Sequence, residues 1–238
     1  MISIVIPARN EEKLIADTIR QFTRLSMPHE VIVSDDGSSD RTVEIAREVA
    51  DTVITFEGDR HAIGRARNAG VKVAHGDVFV FVDSDSFFPD PDAFFRHALK
   101  RFEEDPSLLG IACPQRVRPE IERFTDKFVY GLDNIITRTY NNILHHGTGS
   151  GKCIIVRKET FERIGGFRED LIFREDCNLL KRISKIGKTR YDPALIAYHS
   201  GRRIHRIGVI RFYYSWILNG LYVVFLDRAR DKEWTPIR

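Results

Sequence analysis

Val78-Phe79-Val80-Phe81-Val82-Asp83-Ser84-Asp85-Ser86 is the stretch on which the reading of this sequence turns. Its apolar run, all β-branched or aromatic, predicts a strand buried on both faces, with two carboxylates at its C-terminal edge. Side chains alternate along a strand, so extended backbone through residue 85 would send Asp83 and Asp85 to the same side. Neighbouring carboxylates repel, and a proton or a divalent cation relieves the repulsion. The same edge of an open α/β sheet is where ligands bind. The plainer reading is a polar turn held by Asp and Ser hydrogen bonds, and within this stretch alone it leads.

Working outward, the N-terminal side alternates strands with helices. Ile2–Ile6 stops at Pro7 and reads as a first strand, and Val31–Val33 as a second that ends in Ser34-Asp35-Asp36-Gly37. Thr52–Phe56 reads as a third. Helices are expected over Glu11–Leu25, over Arg41–Ala50 with Asp40 as N-cap, and over Ile63–Ala74. This alternation predicts βαβ units and a mostly parallel sheet flanked by helices. Beyond residue 90 the rhythm changes. Helices are expected over Pro91–Glu104, Glu120–Leu144, Lys158–Ile164 and Glu175–Ile186, and strands over Leu108–Cys113 and Lys152–Val156, with Tyr191–His199 extended. In the helix Glu120–Leu144 the stripe Ile121, Phe124, Phe128, Leu132, Ile135, Ile136 and Ile143 is expected to pack across the sheet, or else to line an acceptor groove.

The bulk numbers narrow the class. With 238 residues the chain can bury a sizeable core. The net charge is only +3, and the basic excess sits in residues 201–238, which argues against general nucleic-acid binding and for an anionic surface facing the tail. Phe212–Leu226 carries no charge over roughly 22 Å of helix at ~1.5 Å per residue. A bilayer span needs ~20 apolar residues, so the segment is short for one. Its helix, about Ile207–Leu226, has three readings: docked on the domain, a homo-oligomer contact, or an interfacial helix making peripheral contact with anionic lipid. Cys113, Cys153 and Cys177 form no CxxC pair and read as reduced thiols. Met1–Pro7 enters a strand pattern with no basic leader, so no signal peptide is expected. The expected location is the cytoplasm, at the inner membrane face if the tail meets lipid.

Several strand-to-loop edges carry polar residues suited to a nucleotide. They are Pro7-Ala8-Arg9-Asn10-Glu11-Glu12, Asp35-Asp36-Gly37-Ser38, Gly64-Arg65-Ala66-Arg67-Asn68 and Asp83-Ser84-Asp85. Carboxylates there can accept from a base or ribose, and guanidinium groups suit a diphosphate. In this order, IVIPARNEE, VIVSDDGSSDRT, GRARNAG, VFVDSDS, IGGF and FREDCNLLKRI resemble glycosyltransferase family 2, the inverting nucleotide-sugar transferases of the GT-A fold.

The resemblance covers roughly residues 1–200. It implies a GT-A, Rossmann-like domain with a nucleotide-binding half (1–90) and an acceptor-binding half (91–200), followed by a basic, apolar helical extension (201–238). It implies nucleotide contacts from Pro7, Ala8, Arg9, Glu11, Asp35, Asp36, Gly64, Arg67, Asp83 and Ser84. Asp85 and His199 would hold Mn²⁺ or Mg²⁺, Asp176 would be the catalytic base, and Glu175 and Gly149 would face the sugar or acceptor. The donor would be a UDP- or GDP-linked sugar, and the acceptor a sugar, a lipid or a polyprenyl phosphate. Alternatives are a sugar-1-phosphate nucleotidyltransferase, which would show a glycine-rich loop with a lysine after the first strand, and an inactive relative acting as a binding subunit. Gly147–Lys152 falls one residue short of a phosphate-binding loop and reads as the approach to a strand. His145-His146 reads as an exposed helix end.

Overall fold

The computed structural model describes residues 1–56 and 61–211, together with 213, 214, 218 and 222. Its elements run β1 (Ile2–Ala8), α1 (Ile15–Arg20), β2 (His29–Asp35), α2 (Thr42–Arg47), β3 (Thr52–Thr55), α3 (Ile63–Val71), β4 (Val78–Val82), β5 (Ser86–Phe87) and α4 (Pro91–Glu104). They continue with β6 (Leu108–Ala112), β7 (Gln115–Val117), α5 (Phe124–Asn142), β8 (Cys153–Arg157), α6 (Lys158–Arg163), α7 (Glu175–Ile183), β9 (Lys188–Tyr191), β10 (Ala197–His199) and α8 (Arg202–Ile207).

The main sheet has the order β3-β2-β1-β4-β8-β6-β9. It is parallel throughout except at β8, which runs antiparallel to both β4 and β6. β4 lies at its centre and is buried on both faces, as its composition requires. Val78, Val80 and Val82 point into one apolar layer with α1 and α4. Phe79 and Phe81 point into the other, against Phe161, Phe167 and the apolar side of α7. On that second face α3 lies close to the sheet, because Gly70 has no side chain: a Cβ there would collide with Val5.

A second, three-stranded sheet has the order β5-β10-β7. β5 and β7 are too short to register in a sequence pattern, and β10 is separated from β9 by a turn at Asp192, so Tyr191–His199 is not one extended run. Asp40 supports α2 as expected, since its carboxylate accepts from the Thr42 N–H at 3.0 Å, although the cap position itself falls to Arg41.

α5 overturns the expected packing. Phe124, Phe128, Ile135 and Ile143 are 84%, 70%, 64% and 68% exposed, so the apolar stripe neither crosses the sheet nor is covered. The inward face carries Val129 and Tyr130, which join Val117 and Ile204, and is otherwise polar where it meets the ends of β7 and β9, whose backbone groups need partners. Asn134 exchanges two hydrogen bonds with the Gln115 backbone and Asn142 two with the Tyr191 backbone, while Asn141 Nδ2 donates to Thr148 O at 2.7 Å.

Most of the predicted helix Ile207–Leu226 lies outside the described residues. At its start, Val209 and Tyr213 pack on Val117, Val129, Tyr130 and Ile204. No helix among the described residues is long and apolar enough to cross a membrane.

Phe81 is fully buried, with ring centroids of Phe167 and Phe161 at 4.8 and 5.2 Å. Phe81→Ala should therefore cost about 3–5 kcal/mol in urea unfolding, whereas Phe124→Ala should change stability by under about 0.5 kcal/mol.

Candidate active site

The DSD turn is built where three elements meet. Ser86 N donates to Asp83 O at 3.0 Å, so the strand geometry ends at Val82 and a turn carries Asp83 and Asp85. The two acids are brought together by a shared cation and not by strand alternation. Antiparallel pairing of β4 with β8 sets Val82 opposite Cys153, which delivers Lys152 to the turn. Its Nζ lies 3.1 Å from Asp83 Oδ2 and 2.9 Å from Asp85 Oδ1. The other oxygen of Asp85 accepts from Ser200 Oγ at 2.5 Å, and Arg202 Nε is 3.7 Å away. Burial favours protonation of Asp85, but the Lys152 charge, Arg202 and the Ser200 hydroxyl outweigh it and hold the carboxyl well below its ordinary range.

His199 reaches the turn through the small sheet, where it pairs with Ser86. Burial first, then the Lys152 charge, pull its pKa down to about 3, so the imidazole is neutral. Nδ1 accepts from Gly201 N–H at 3.1 Å, while the buried Nε2 has no partner.

Behind the turn lies Arg67 on α3, only 1% exposed. Its guanidinium donates to Glu175 Oε1 at 2.8 Å, to Asp83 Oδ1 at 2.9 Å and to Gly151 O at 3.2 Å, and it sits 5.1 Å from the Phe167 ring centroid. Gly151 must lack a side chain, since a Cβ there would strike the guanidinium. Burial, then the neighbouring Asp176 charge, push Glu175 above the carboxylate range; Arg67, already shared with Asp83, offsets this only in part. Glu175 opens α7 behind Arg174, whose left-handed φ of 61° turns the chain sharply into the helix. Asp176 is next, accepting from Cys177 N–H at 2.6 Å and from Gly151 N–H at 2.7 Å. Gly149 packs on Leu180 and Ala112, and its carbonyl accepts from Cys177 Sγ at 3.1 Å.

The remaining predicted residues lie apart from the Arg67 cluster, most of them at the ends of β1 and β2. Ala8 pairs with Asp35, which gathers Pro7, Ala8, Arg9, Asp35 and Asp36 at one edge of β1 and β2. Asp35 is tied to Ser38, and Asp36, raised chiefly by burial, lies 3.2 Å from His61 Nδ1. Arg9 Nε and Asp36 Oδ1 are buried without partners, which suits a polar ligand at this edge. Glu11 accepts twice from Arg202, at 2.7 and 2.8 Å, and Ser84 is held by Thr18 Oγ1 through its carbonyl. Gly64 lies against Phe167 and Arg168, on the packed side of α3.

Among the described residues no group of three or more His, Cys, Asp or Glu side chains stands ready to hold a metal. The donor types at the DSD turn nonetheless fit a hard divalent cation: an ionised carboxylate, a second one beside it, and a neutral imidazole with a free nitrogen. A cation on Nε2 would shift the imidazole proton to Nδ1 and end the Gly201 contact.

A model of glycosyl transferase family 2 matches residues 3–165, well over half of the chain. The chain belongs to glycosyl transferase family 2. It is 38% identical over 178 residues to the 4,4'-diaponeurosporenoate glycosyltransferase of Staphylococcus aureus (strain USA300), an alignment covering 70% of this chain and 46% of that one. The solved mannosyltransferase PcManGT from Pyrobaculum calidifontis, in complex with GDP-Man and Mn²⁺, superposes with a TM-score of 0.68 at 21% identity over 84% of this chain and 56% of that one. Glucosyl-3-phosphoglycerate synthase from Mycobacterium tuberculosis, with Mn²⁺, UDP and glucosyl-3-phosphoglycerate, gives 0.66 at 20% identity over 95% and 79%. These neighbours show the GT-A fold. This family 2 chain spans 24% to 65% of the length of the first curated relatives it matches.

Sequence reasoning passed over three residues of this site. Lys152 was visible only as the end of a glycine-rich approach to a strand, and nothing local says that β8 pairs with β4. Arg202 belongs to the stretch read as a basic tail and Ser200 carries no motif, yet both close the DSD turn. The Arg67 pairing gives a direct test. Arg67→Met should destabilise this family 2 domain by about 3–5 kcal/mol in urea unfolding, because Asp83 loses its cation and Glu175 its buried donor, and Asp83→Asn in that background should restore part of the loss.

Proposed function

We propose that this chain transfers a sugar from a UDP- or GDP-linked donor to an acceptor hydroxyl or phosphate, with inversion at the anomeric carbon and with help from Mn²⁺ or Mg²⁺. The observation that carries the reading is the run of paired ionisable groups from Asp85 through Lys152, Asp83 and Arg67 to Glu175, with Asp176 next in the chain and bonded to the Gly151 N–H. It links the end of β4 to the start of α7, so a group bound at the turn lies on the same sheet edge as the proposed base. Membership in family 2 supports the same reaction class.

In this reading residues 1–90 hold the nucleotide and residues 91–200 the acceptor. Asp35, Asp36, Arg9 and the Pro7-Ala8 backbone receive the base, Glu11 and Ser84 border the nucleotide, and Asp83 faces the ribose; Arg67, sealed behind the turn, acts on the nucleotide through Asp83, and Gly64 lets α3 pack closely behind it. Asp85 and His199 hold the cation, which when bound neutralises charge on the departing diphosphate. Lys152 keeps the two aspartates compensated when no cation is present, and its Nζ is placed to meet phosphate oxygens. Asp176 is aimed by two backbone N–H donors and takes the acceptor proton as its oxygen attacks from the face opposite the leaving group. Glu175, biased toward its neutral form, adds no second full charge beside that base. Gly149 and Glu175 border the sugar.

The S. aureus relative is named for glycosyl transfer with 4,4'-diaponeurosporenoate, which supports a lipid acceptor here. PcManGT and the M. tuberculosis synthase are complexes with GDP-Man or UDP and with Mn²⁺, which supports a metal and leaves both donor bases in play.

A panel of nucleotide sugars with Mn²⁺ or Mg²⁺, read by nucleoside diphosphate release, tests the reading. The matching diphosphate should raise Tm only when the cation is present; a metal-independent rise removes Asp85 from its role. Asp176→Asn should keep that thermal shift and lower transfer by at least about 10²-fold, and unchanged turnover would exclude it as the base. Lys152→Met should lower Tm in EDTA, and Mn²⁺ should recover more of the loss than it adds to the native chain. Equal effects of Mn²⁺ on both would separate the lysine from the cation site.

A further inference from the structure

α5 holds the domain through Val129, Tyr130 and a set of polar side chains, and turns a second, longer apolar stripe toward solvent. Phe124, Phe128, Leu132, Ile135, Ile136 and Ile143 recur at helical spacing and form one exposed stripe over about 28 Å of helix at ~1.5 Å per residue. A contiguous apolar surface of this length marks a contact site.

Two observations identify what it contacts. The first is charge. Arg123, Lys127 and Arg138 are exposed beside the stripe, whereas the acids of α5 are turned away: Asp126 is buried against His205, and Asp133 is drawn inward to accept from Gln115. Glu122, just before the helix, is tied to Arg116 at 3.1 Å and lies 3.9 Å from Lys127 Nζ, so it offsets part of that flank and leaves it net cationic. An apolar face with a cationic flank matches the headgroup and acyl boundary of an anionic leaflet, and the cations would oppose face-to-face pairing of two copies. The second is continuity. Tyr213 Oη donates to Val129 O at 3.2 Å, which holds the start of the C-terminal segment against α5, and Ile210 and Tyr214 of that segment are exposed.

We propose that the outward face of α5, extended by Ile210 and Tyr214, seats the protein on an anionic lipid bilayer. The opposite face of the same helix borders the site. Asp133 accepts from Gln115 Nε2 at 2.7 Å, Gln115 Oε1 accepts from Ser150 Oγ at 2.9 Å, and Gly151 N–H donates to Asp176. A bilayer on one side of α5 therefore puts membrane lipid next to the acceptor side of the site. That link to the acceptor rests on the glycosyl-transfer reading, and the seating does not.

The test is sedimentation of the full chain with phosphatidylcholine vesicles, with and without 30 mol% phosphatidylglycerol. The native chain should bind the anionic vesicles, less so in high salt. Phe124→Ser/Phe128→Ser/Ile135→Ser should lower the partition coefficient at least tenfold, while Tm and metal-dependent donor hydrolysis stay unchanged. Arg123→Glu/Lys127→Glu/Arg138→Glu should do the same on anionic vesicles, and this second variant decides the matter if the first does not fold. Undiminished binding by the variant that folds overturns the proposal. So does binding lost only when residues 212–238 are removed, which assigns the contact to that segment. A native dimer by light scattering that the serine variant splits, with vesicle binding unchanged, also overturns it in favour of a second copy. Absence of donor turnover in every variant would count against the enzymatic reading and leave the vesicle result standing.

Discussion

Arg67 is the constraint around which the site side of the sheet is arranged. A guanidinium removed from water must be matched by charge and hydrogen bonds, or the fold loses several kcal/mol. Here the match comes from Asp83 at the end of β4, Glu175 at the start of α7 and the Gly151 carbonyl before β8. No two of these partners are close in sequence, so satisfying one side chain fixes α3, the central strand, the glycine-rich approach and α7 relative to one another. The Phe167 ring beneath the guanidinium and the missing side chain at Gly151 shape the space it fills.

Lys152 repeats the pattern one step nearer solvent. Its ammonium lies between two carboxylates that would otherwise repel, and Ser200 and Arg202 hold Asp85 from the other side. The small sheet makes this possible, because β10 brings His199, Ser200 and the start of α8 to a turn far away in the chain. The result is an edge that remains charge-balanced without a ligand while keeping Asp85 ionised and His199 neutral.

How much was legible follows from what is local. β1, β2 and β4 could be read from periodicity, because strands inside this sheet must be apolar on both faces; β1 nonetheless runs through Pro7 to Ala8, since Pro7 still pairs with Ser34 of β2. The acidic turns after β1, β2 and β4 could be read for the same reason, since a parallel sheet puts its C-terminal edges on one side by construction. The helix expected over Glu120–Leu144 forms as the shorter Phe124–Asn142, with its apolar stripe turned the other way. Periodicity finds an apolar stripe but does not say which way it points; the asparagines that bind the ends of β7 and β9 turned the polar face inward.

The sequence by itself determined the sheet type, the central place of Val78–Val82 and the acidic residues that line its edge, because strand burial and turn chemistry act over a few neighbouring residues. Tertiary structure alone decided that Lys152 and not strand alternation joins Asp83 to Asp85, that Arg67 is sealed between Asp83 and Glu175, and that the apolar stripe of α5 faces outward. Each of these depends on pairing between distant segments, where the register of β8 on β4 and the accounting of buried charge select partners that no local pattern records.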